Sequence, residues 1–288
     1  MIDKIQYYLV IFLIKFLMLF PKSIRRKFFE FLGYLTYLVY TKNKKIIEAN
    51  LNYIYDNNIS KEKIKQIQKE CYRKLFLNIL SIMEGNSYTK EELKKIVTFT
   101  NMEFIKNLQK PYIIVTAHFG NIDFLGLVLA KFFGKMTQVQ QKIKNPYLFK
   151  YIEKQRESYG LNMVEKHGAV KKLFFALKKG EPISLIIDQN TNPKYSSKVK
   201  FLGKIAYQTL TSSQLSKKFN IPILPVFIKE EKKGYTVIFK EPIYPKDKSI
   251  EELNQIQADV MSEVINKYPH EWFWCHKRFK NSAPQIYK

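Results

Sequence analysis

Glycine, proline, cysteine and histidine are all scarce in this chain of 288 residues, which holds 10 glycines, 11 prolines, 2 cysteines and 4 histidines. Cys71 and Cys275 stand far apart and form no metal-ligand spacing. Neither a disulfide framework nor a metal site is therefore expected, and both read as free thiols in a reducing compartment. No G-x-S-x-G stretch occurs, which argues against a serine hydrolase with a nucleophile elbow. Acidic residues are also few: 25 Asp and Glu face 49 Lys and Arg, for a net charge of +24. That imbalance calls for an anionic partner, whether nucleic acid, a phosphorylated lipid surface or an acidic carrier protein. Nucleic acid is disfavoured, because no recognisable nucleic-acid module accompanies the charge and Lys-rich helices are explained by solvated faces.

What is plentiful is apolar. Hydrophobic residues make up 46% of the chain, enough to bury a sizeable core in one catalytic domain with an appendage. The first residues, MIDKIQYYLVIFLIKFLMLF, are apolar from Ile5 to Phe20 apart from Gln6 and Lys15. A membrane-anchoring helix over 1–21 is the expectation, either spanning the bilayer or lying along it, with a buried amphipathic helix as the other reading. No small-residue cleavage site follows, so a cleaved signal peptide is poorly supported. Lys22, Arg25, Arg26 and Lys27 come next, a basic cluster expected to stay on the cytoplasmic side beside anionic headgroups.

Residues 22–96 read as a helical segment packed on the catalytic domain. In KEKIKQIQKECYRKLFLNILSIME, Ile64, Ile67, Cys71, Leu75 and Ile79 recur at helical spacing and are predicted core positions. From residue 97 to 288 strand-like and helix-like text alternates, which predicts an α/β domain with a mainly parallel sheet flanked by helices. Strands are predicted at 113–116, 161–164, 183–187, 223–228 and 235–239.

Chemistry concentrates in PYIIVTAHFGNIDFLG, residues 111–126, where a β-branched run stops at a histidine and a helix-like segment begins. Gly120 suits a tight turn and Asn121 a helix N-cap, so His118 is expected at a strand-to-helix turn with Phe119 beside it. A gap of five residues does not place two side chains on one face of a regular helix. His118 and Asp123 can meet only if the histidine lies in the turn and the aspartate faces back from the first helical turn. In that arrangement the carboxylate would fix the imidazole tautomer, and the other nitrogen would take a proton from a hydroxyl.

Further along, Asn145 before Pro146 predicts a helix start, and Arg156 falls near that helix's end, where it reads as a dipole-compensating surface residue. Asp188 and Gln189 close a buried strand at the sheet edge where ligands bind, either shaping the site or closing a loop. The stretch YPHEWFWCHKRFK carries Trp272, Trp274 and Arg278, a mix suited to packing or to an anionic headgroup. His167, His270 and His276 have no evident partner.

HFGNID after an apolar strand resembles the H-x-x-x-x-D signature of the glycerolipid acyltransferase superfamily. Its HFGN form is similar to the late acyltransferases of lipid A biosynthesis, which usually carry Glu where Asp123 stands. The DQ pair at Asp188, the FLG at Phe201 to Gly203 and the pattern Glu271, Trp272, Trp274, His276, Arg278, Phe279 and Lys280 resemble the same family. The resemblance implies His118 as general base and Asp123 as its partner, with Phe119, Gly120, Asn121, Asn145, Arg156, Asp188, Gln189 and Arg278 binding substrate or shaping the site. It implies acyl transfer from acyl carrier protein to a hydroxyl of a phosphorylated glycolipid, a lipid A precursor, with no metal or cofactor, at the cytoplasmic face of a bacterial inner membrane.

Overall fold

The structure, a computed structural model, describes residues 2–288. Five helices come first: α1 (Ile2–Met18), α2 (Lys22–Val39), α3 (Thr41–Ile54), α4 (Lys61–Glu84) and α5 (Lys90–Ile96). Their starts follow local chemistry. The Ser60 hydroxyl accepts from the Lys63 amide at the head of α4, and Thr89 with Glu92 closes a capping box on α5. Strands and helices then alternate: β1 (Val97–Thr100), α6 (Glu103–Lys106), β2 (Ile113–Thr116), α7 (Ile122–Phe133), β3 (Met136–Gln140), α8 (Pro146–Ser158), β4 (Leu161–Glu165), α9 (Ala169–Lys178) and β5 (Ile183–Ile186). A hairpin of β6 (Ser196–Phe201) and β7 (Lys204–Thr209) precedes α10 (Thr211–Phe219), β8 (Ile223–Glu231), β9 (Gly234–Phe239) and α11 (Ile250–Lys267).

Seven strands form one sheet in the order β1-β9-β8-β2-β5-β3-β4, while β6 and β7 pair separately. Every neighbour in the large sheet is parallel except the β8–β9 hairpin. The mainly parallel sheet predicted from the alternating text is present, and helices cover both faces. Along β2 the faces alternate: Ile113, Val115 and Ala117 enter one core, and Tyr112 and Ile114 enter the other. β1, β3 and the β6–β7 hairpin were not predicted. β3, MTQVQ, has too few apolar residues to read as a strand, yet Thr137 and Gln140 are buried in it.

In the helical part the spanning form of the expected anchor finds no support, and the stripe predicted on α4 needs correction. No helix among the described residues is long and apolar enough to cross a membrane. The segment expected to anchor the chain is α1, whose 17 residues rise only about 26 Å at 1.5 Å each, short of a hydrocarbon core. α1 instead lies against α8, where the Asn145 side chain donates to the Asp3 carbonyl at 2.9 Å, and it leaves Leu9 and Phe12 exposed. On α4 the predicted stripe drifts out of register. Ile64, Ile67 and Cys71 are buried, but Ile79 is 43% exposed and Leu77 and Leu80 take the inner positions. A strict four-residue step advances faster than the 3.6-residue turn, so the apolar row leaves the buried face after two turns.

Helices α3 and α4 share a core with the sheet: Ile47, Leu51, Ile64, Ile67 and Cys71 pack in the cluster that holds Ile113, Ile183 and Trp272. Charge reinforces the junction. Lys74 on α4, nearly buried, bonds Glu271 at 2.7 Å and Glu230 of β8 at 3.2 Å, and Glu230 also pairs with Arg26 and Arg73. These cations hold the Glu230 carboxyl at a pKa of about 2, although burial alone would raise it.

Candidate active site

The site lies at the carboxyl edge of the sheet, where two parallel neighbours end together. In the register of β2 and β5, Thr116 stands beside Ile186. Two residues further along each strand come His118 and Asp188, so parallel pairing itself sets the imidazole beside the carboxylate. His118 Nδ1 is 2.8 Å from Asp188 Oδ1. Asp188 Oδ2 accepts from the His118 backbone amide at 3.0 Å and from Trp272 Nε1 at 2.7 Å. The Asp188 side chain is 3% exposed, whereas His118 keeps 24%. A carboxylate so buried is tolerable only because three donors converge on it.

These contacts fix the proton. Burial alone would raise the Asp188 pKa, but His118, Trp272 and the backbone amide hold it at about 2. Ionised, Asp188 can only accept, so Nδ1 carries the imidazole hydrogen and Nε2 presents a lone pair. That lone pair meets the Gln189 side-chain amide at 3.2 Å. Burial alone would lower the His118 pKa, but the Asp188 carboxylate and, more weakly, Asp123 raise it above its ordinary 6.5. The arrangement is a base with one nitrogen fixed and the other available to take a proton, which matches the chemistry of a general base and its orienting acid.

The turn that carries His118 is clamped by the segment after α11. Phe119 bridges to Trp272, the Phe273 amide donates to the His118 carbonyl at 2.8 Å, and the Gly120 amide donates to the Glu271 carbonyl at 2.8 Å. Gly120 sits at φ +61, and a Cβ there would fall 1.9 Å from the Ile228 carbonyl oxygen, so only glycine fits. Asn121 caps α7 as expected, its Oδ1 accepting from the Phe124 amide at 3.1 Å. Phe119 is fully buried against Phe227 and belongs to the core.

Asp123 does not bond the imidazole. The carboxylate on Nδ1 is Asp188, and Asp123 accepts from Arg156 of α8, from Nη2 at 2.6 Å and Nε at 3.0 Å. Arg156 also donates from Nη1 to Gln140 Oε1 at 3.1 Å. The direct partner expected from the motif is thus replaced by one 70 residues downstream, because the register of β2 and β5 brings Asp188 to the nitrogen that Asp123 would need. Asp123 remains close enough to favour the imidazolium through space. Asn145 lies away from this chemistry: its Oδ1 caps α8 by accepting from the Tyr147 and Leu148 amides, and its Nδ2 ties down α1.

Arg278, expected to bind an anionic group or to shape the site, is fully buried. Its Nη1 donates to the Gln189 carbonyl at 3.1 Å and to the Tyr207 carbonyl, and the guanidinium lies 4.8 Å from the Phe201 ring centre. Burial lowers its pKa to about 10, only partly offset by Asp188. It therefore braces the strand end that carries Asp188 and Gln189. Trp272, expected either to pack or to meet a headgroup, is buried and donates to Asp188. The one signal in the sequence was its place in the Glu271 to Lys280 pattern. His276 is neutral, with a pKa lowered by burial to about 4, and its Nε2 accepts from the Asn190 amide at 2.9 Å. His167 is exposed after β4, and His270 lies 3.5 Å from Glu271.

The model of the bacterial lipid A biosynthesis acyltransferase family matches residues 1–281. A phosphatidylinositol mannoside acyltransferase from Mycolicibacterium smegmatis is 22% identical over 164 residues, 56% of this chain and 54% of that protein. The matched region thus spans about half the length of that curated relative. Among solved structures, the 1-acyl-sn-glycerophosphate acyltransferase of Thermotoga maritima superposes with a TM-score of 0.46 at 17% identity, over 88% of this chain and 99% of that one.

Proposed function

The chain belongs to the bacterial lipid A biosynthesis acyltransferase family, and from that premise we propose that it moves a fatty acyl group from acyl carrier protein to a hydroxyl of a phosphorylated lipid A precursor. The observation that carries the reading is the His118 imidazole, held by a buried carboxylate at Nδ1 and meeting only the Gln189 side-chain amide at Nε2, the position an acceptor hydroxyl would take. A hydroxyl placed there loses its proton to Nε2 as its oxygen attacks the thioester carbonyl. Asp188 keeps the reactive tautomer and stabilises the imidazolium that forms. Asp123 and Arg156 form a second charged pair beside the base.

Partners and location follow from charge and exposed surface. The net charge of +24 favours encounter with an acidic carrier protein and with a phosphorylated acceptor. α1, α2 and the turn between them expose Leu9, Phe12, Leu19, Phe31 and Val39 among lysines. Such a surface suits the cytoplasmic leaflet of an inner membrane, as an interfacial rather than a spanning contact. Another glycolipid is the second acceptor class, favoured by the phosphatidylinositol mannoside for which the M. smegmatis relative is named.

The test is acyl transfer in detergent from acyl carrier protein to a lipid A precursor, a lysophospholipid and a mannosylated phosphoinositide, with His118→Ala as control. Transfer to the precursor alone, lost by on the order of a hundredfold or more in the control, is expected. Transfer only to another acceptor would sink the lipid A assignment, and an active control would sink the base.

A further inference from the structure

Gln189 is held firmly by its backbone and by a single contact at its side chain. Its carbonyl accepts from the buried Arg278 at 3.1 Å and from the Thr191 hydroxyl at 3.2 Å. The residue before it is fixed by three donors to Asp188, and the amide after it donates to His276. Among the described residues the Gln189 side chain makes one hydrogen bond, to His118 Nε2. A side chain with a purely structural task would not have as its sole partner the lone pair that the reaction consumes.

We propose that the Gln189 side-chain amide, which covers the base in the resting site, becomes the donor that stabilises the oxyanion of the acyl-transfer step. The proposal rests on the acyl-transfer reading above. An acceptor hydroxyl must occupy the space at Nε2 where the amide now sits, so its arrival displaces the amide by a short rotation. The displaced N–H needs a new acceptor. The thioester carbonyl supplies one, because its oxygen is bonded to the carbon that the hydroxyl oxygen attacks.

In the step itself, the hydroxyl proton passes to Nε2 and the new C–O bond forms. The π pair moves onto the carbonyl oxygen, which accepts from the Gln189 N–H. On collapse the carbonyl re-forms, the C–S bond breaks and the thiolate takes the proton from Nε2. While Nε2 is protonated it is a donor and cannot receive the amide. The Gln189 N–H is therefore free of its resting partner for the lifetime of the oxyanion, and returns once the imidazole is neutral again.

The experiment compares the full chain with Gln189→Ala and Gln189→Glu, the second keeping size while removing both N–H donors. Transfer from acyl carrier protein to a lipid A precursor and slow hydrolysis of the same thioester by water are both measured. Loss of one oxyanion donor is expected to lower kcat about 10²–10³-fold in both reactions, with KM for each substrate within about twofold and no rescue by Gln189→Glu. The Glu variant should also move the acid limb of the pH profile upward, since an anion at Nε2 favours the imidazolium. Activity of Gln189→Ala within about threefold of the parent, or above it, would show a resting cap only and overturn the proposal. So would a loss confined to KM or a restored rate in Gln189→Glu. If the parent hydrolyses the thioester but acylates no lipid A precursor, the acceptor assignment fails while hydrolysis still decides the role of Gln189. A parent inactive in both reactions overturns both.

Discussion

Replacing Asp188 with asparagine tests which carboxylate governs the base. The swap keeps the volume, and the new amide has two ways to sit. With its oxygen toward the His118 amide and Trp272 Nε1, at 3.0 and 2.7 Å in the parent, its N–H faces Nδ1. Nδ1 must then accept, and the imidazole hydrogen moves to Nε2, where it blocks proton uptake. With the amide reversed, its N–H points at two other donors, and hydrogen bonds to a charged acceptor worth roughly 1.5–3 kcal/mol each are lost. The first placement is favoured because it leaves the fewest buried groups unpaired. A base stranded in the wrong tautomer costs on the order of 10⁴ in kcat, or about 5.5 kcal/mol. Asp123→Asn leaves the Asp188 contact intact, removes a through-space charge and loosens Arg156, so its cost should be on the order of 10–10². Single-turnover transfer rates give the comparison, and nitrogen NMR of a labelled histidine reports the tautomer. A Nδ1–H tautomer retained in Asp188→Asn, or a larger loss in Asp123→Asn, would refute the reasoning.

Because His118 has its pKa raised above 6.5 by Asp188 and Asp123 and, as the proposed base, would act only when neutral, kcat/KM should climb with pH through a limb lying above 6.5, and that limb should move lower in Asp123→Asn. The same shift contributes stability that is fully present below the unfolded histidine pKa and is lost as pH rises through the folded one; melts of the parent and His118→Gln across that range should converge at high pH. Gly120→Ala meets both a left-handed backbone and a Cβ 1.9 Å from the Ile228 carbonyl oxygen, so it should lose about 3 kcal/mol in urea unfolding together with activity; a midpoint equal to the parent's would remove the close-approach argument. Raising salt from low to physiological strength should weaken apparent affinity for the carrier-bound donor, and a flat salt series would count against electrostatic steering.

The local text of the chain determined its local structure. The β-branched run at 113–116, the cap at Asn121 and the cap and proline at 145–146 carry their own geometry, because hydrogen bonds to near neighbours and backbone angles decide them. The parallel sheet and the turn that presents His118 were legible for the same reason, and the HFGN, DQ and WFWCHKRF elements pointed to the family. The partner of the base was not legible. Asp123 is five residues from His118 in sequence, but parallel pairing of β2 with β5 makes Asp188 the neighbour in space. The role of Trp272 depends on a segment after α11 folding back across the turn, and the role of Arg278 on its burial behind Gln189. α4 likewise shows that spacing places a stripe only to within a turn, while packing against α2 and the buried pair of Lys74 with Glu271 decides which residues go inside. Sequence fixes which groups are available and which turns hold them; contacts between residues distant in the chain come from strand register and packing, which no local pattern encodes.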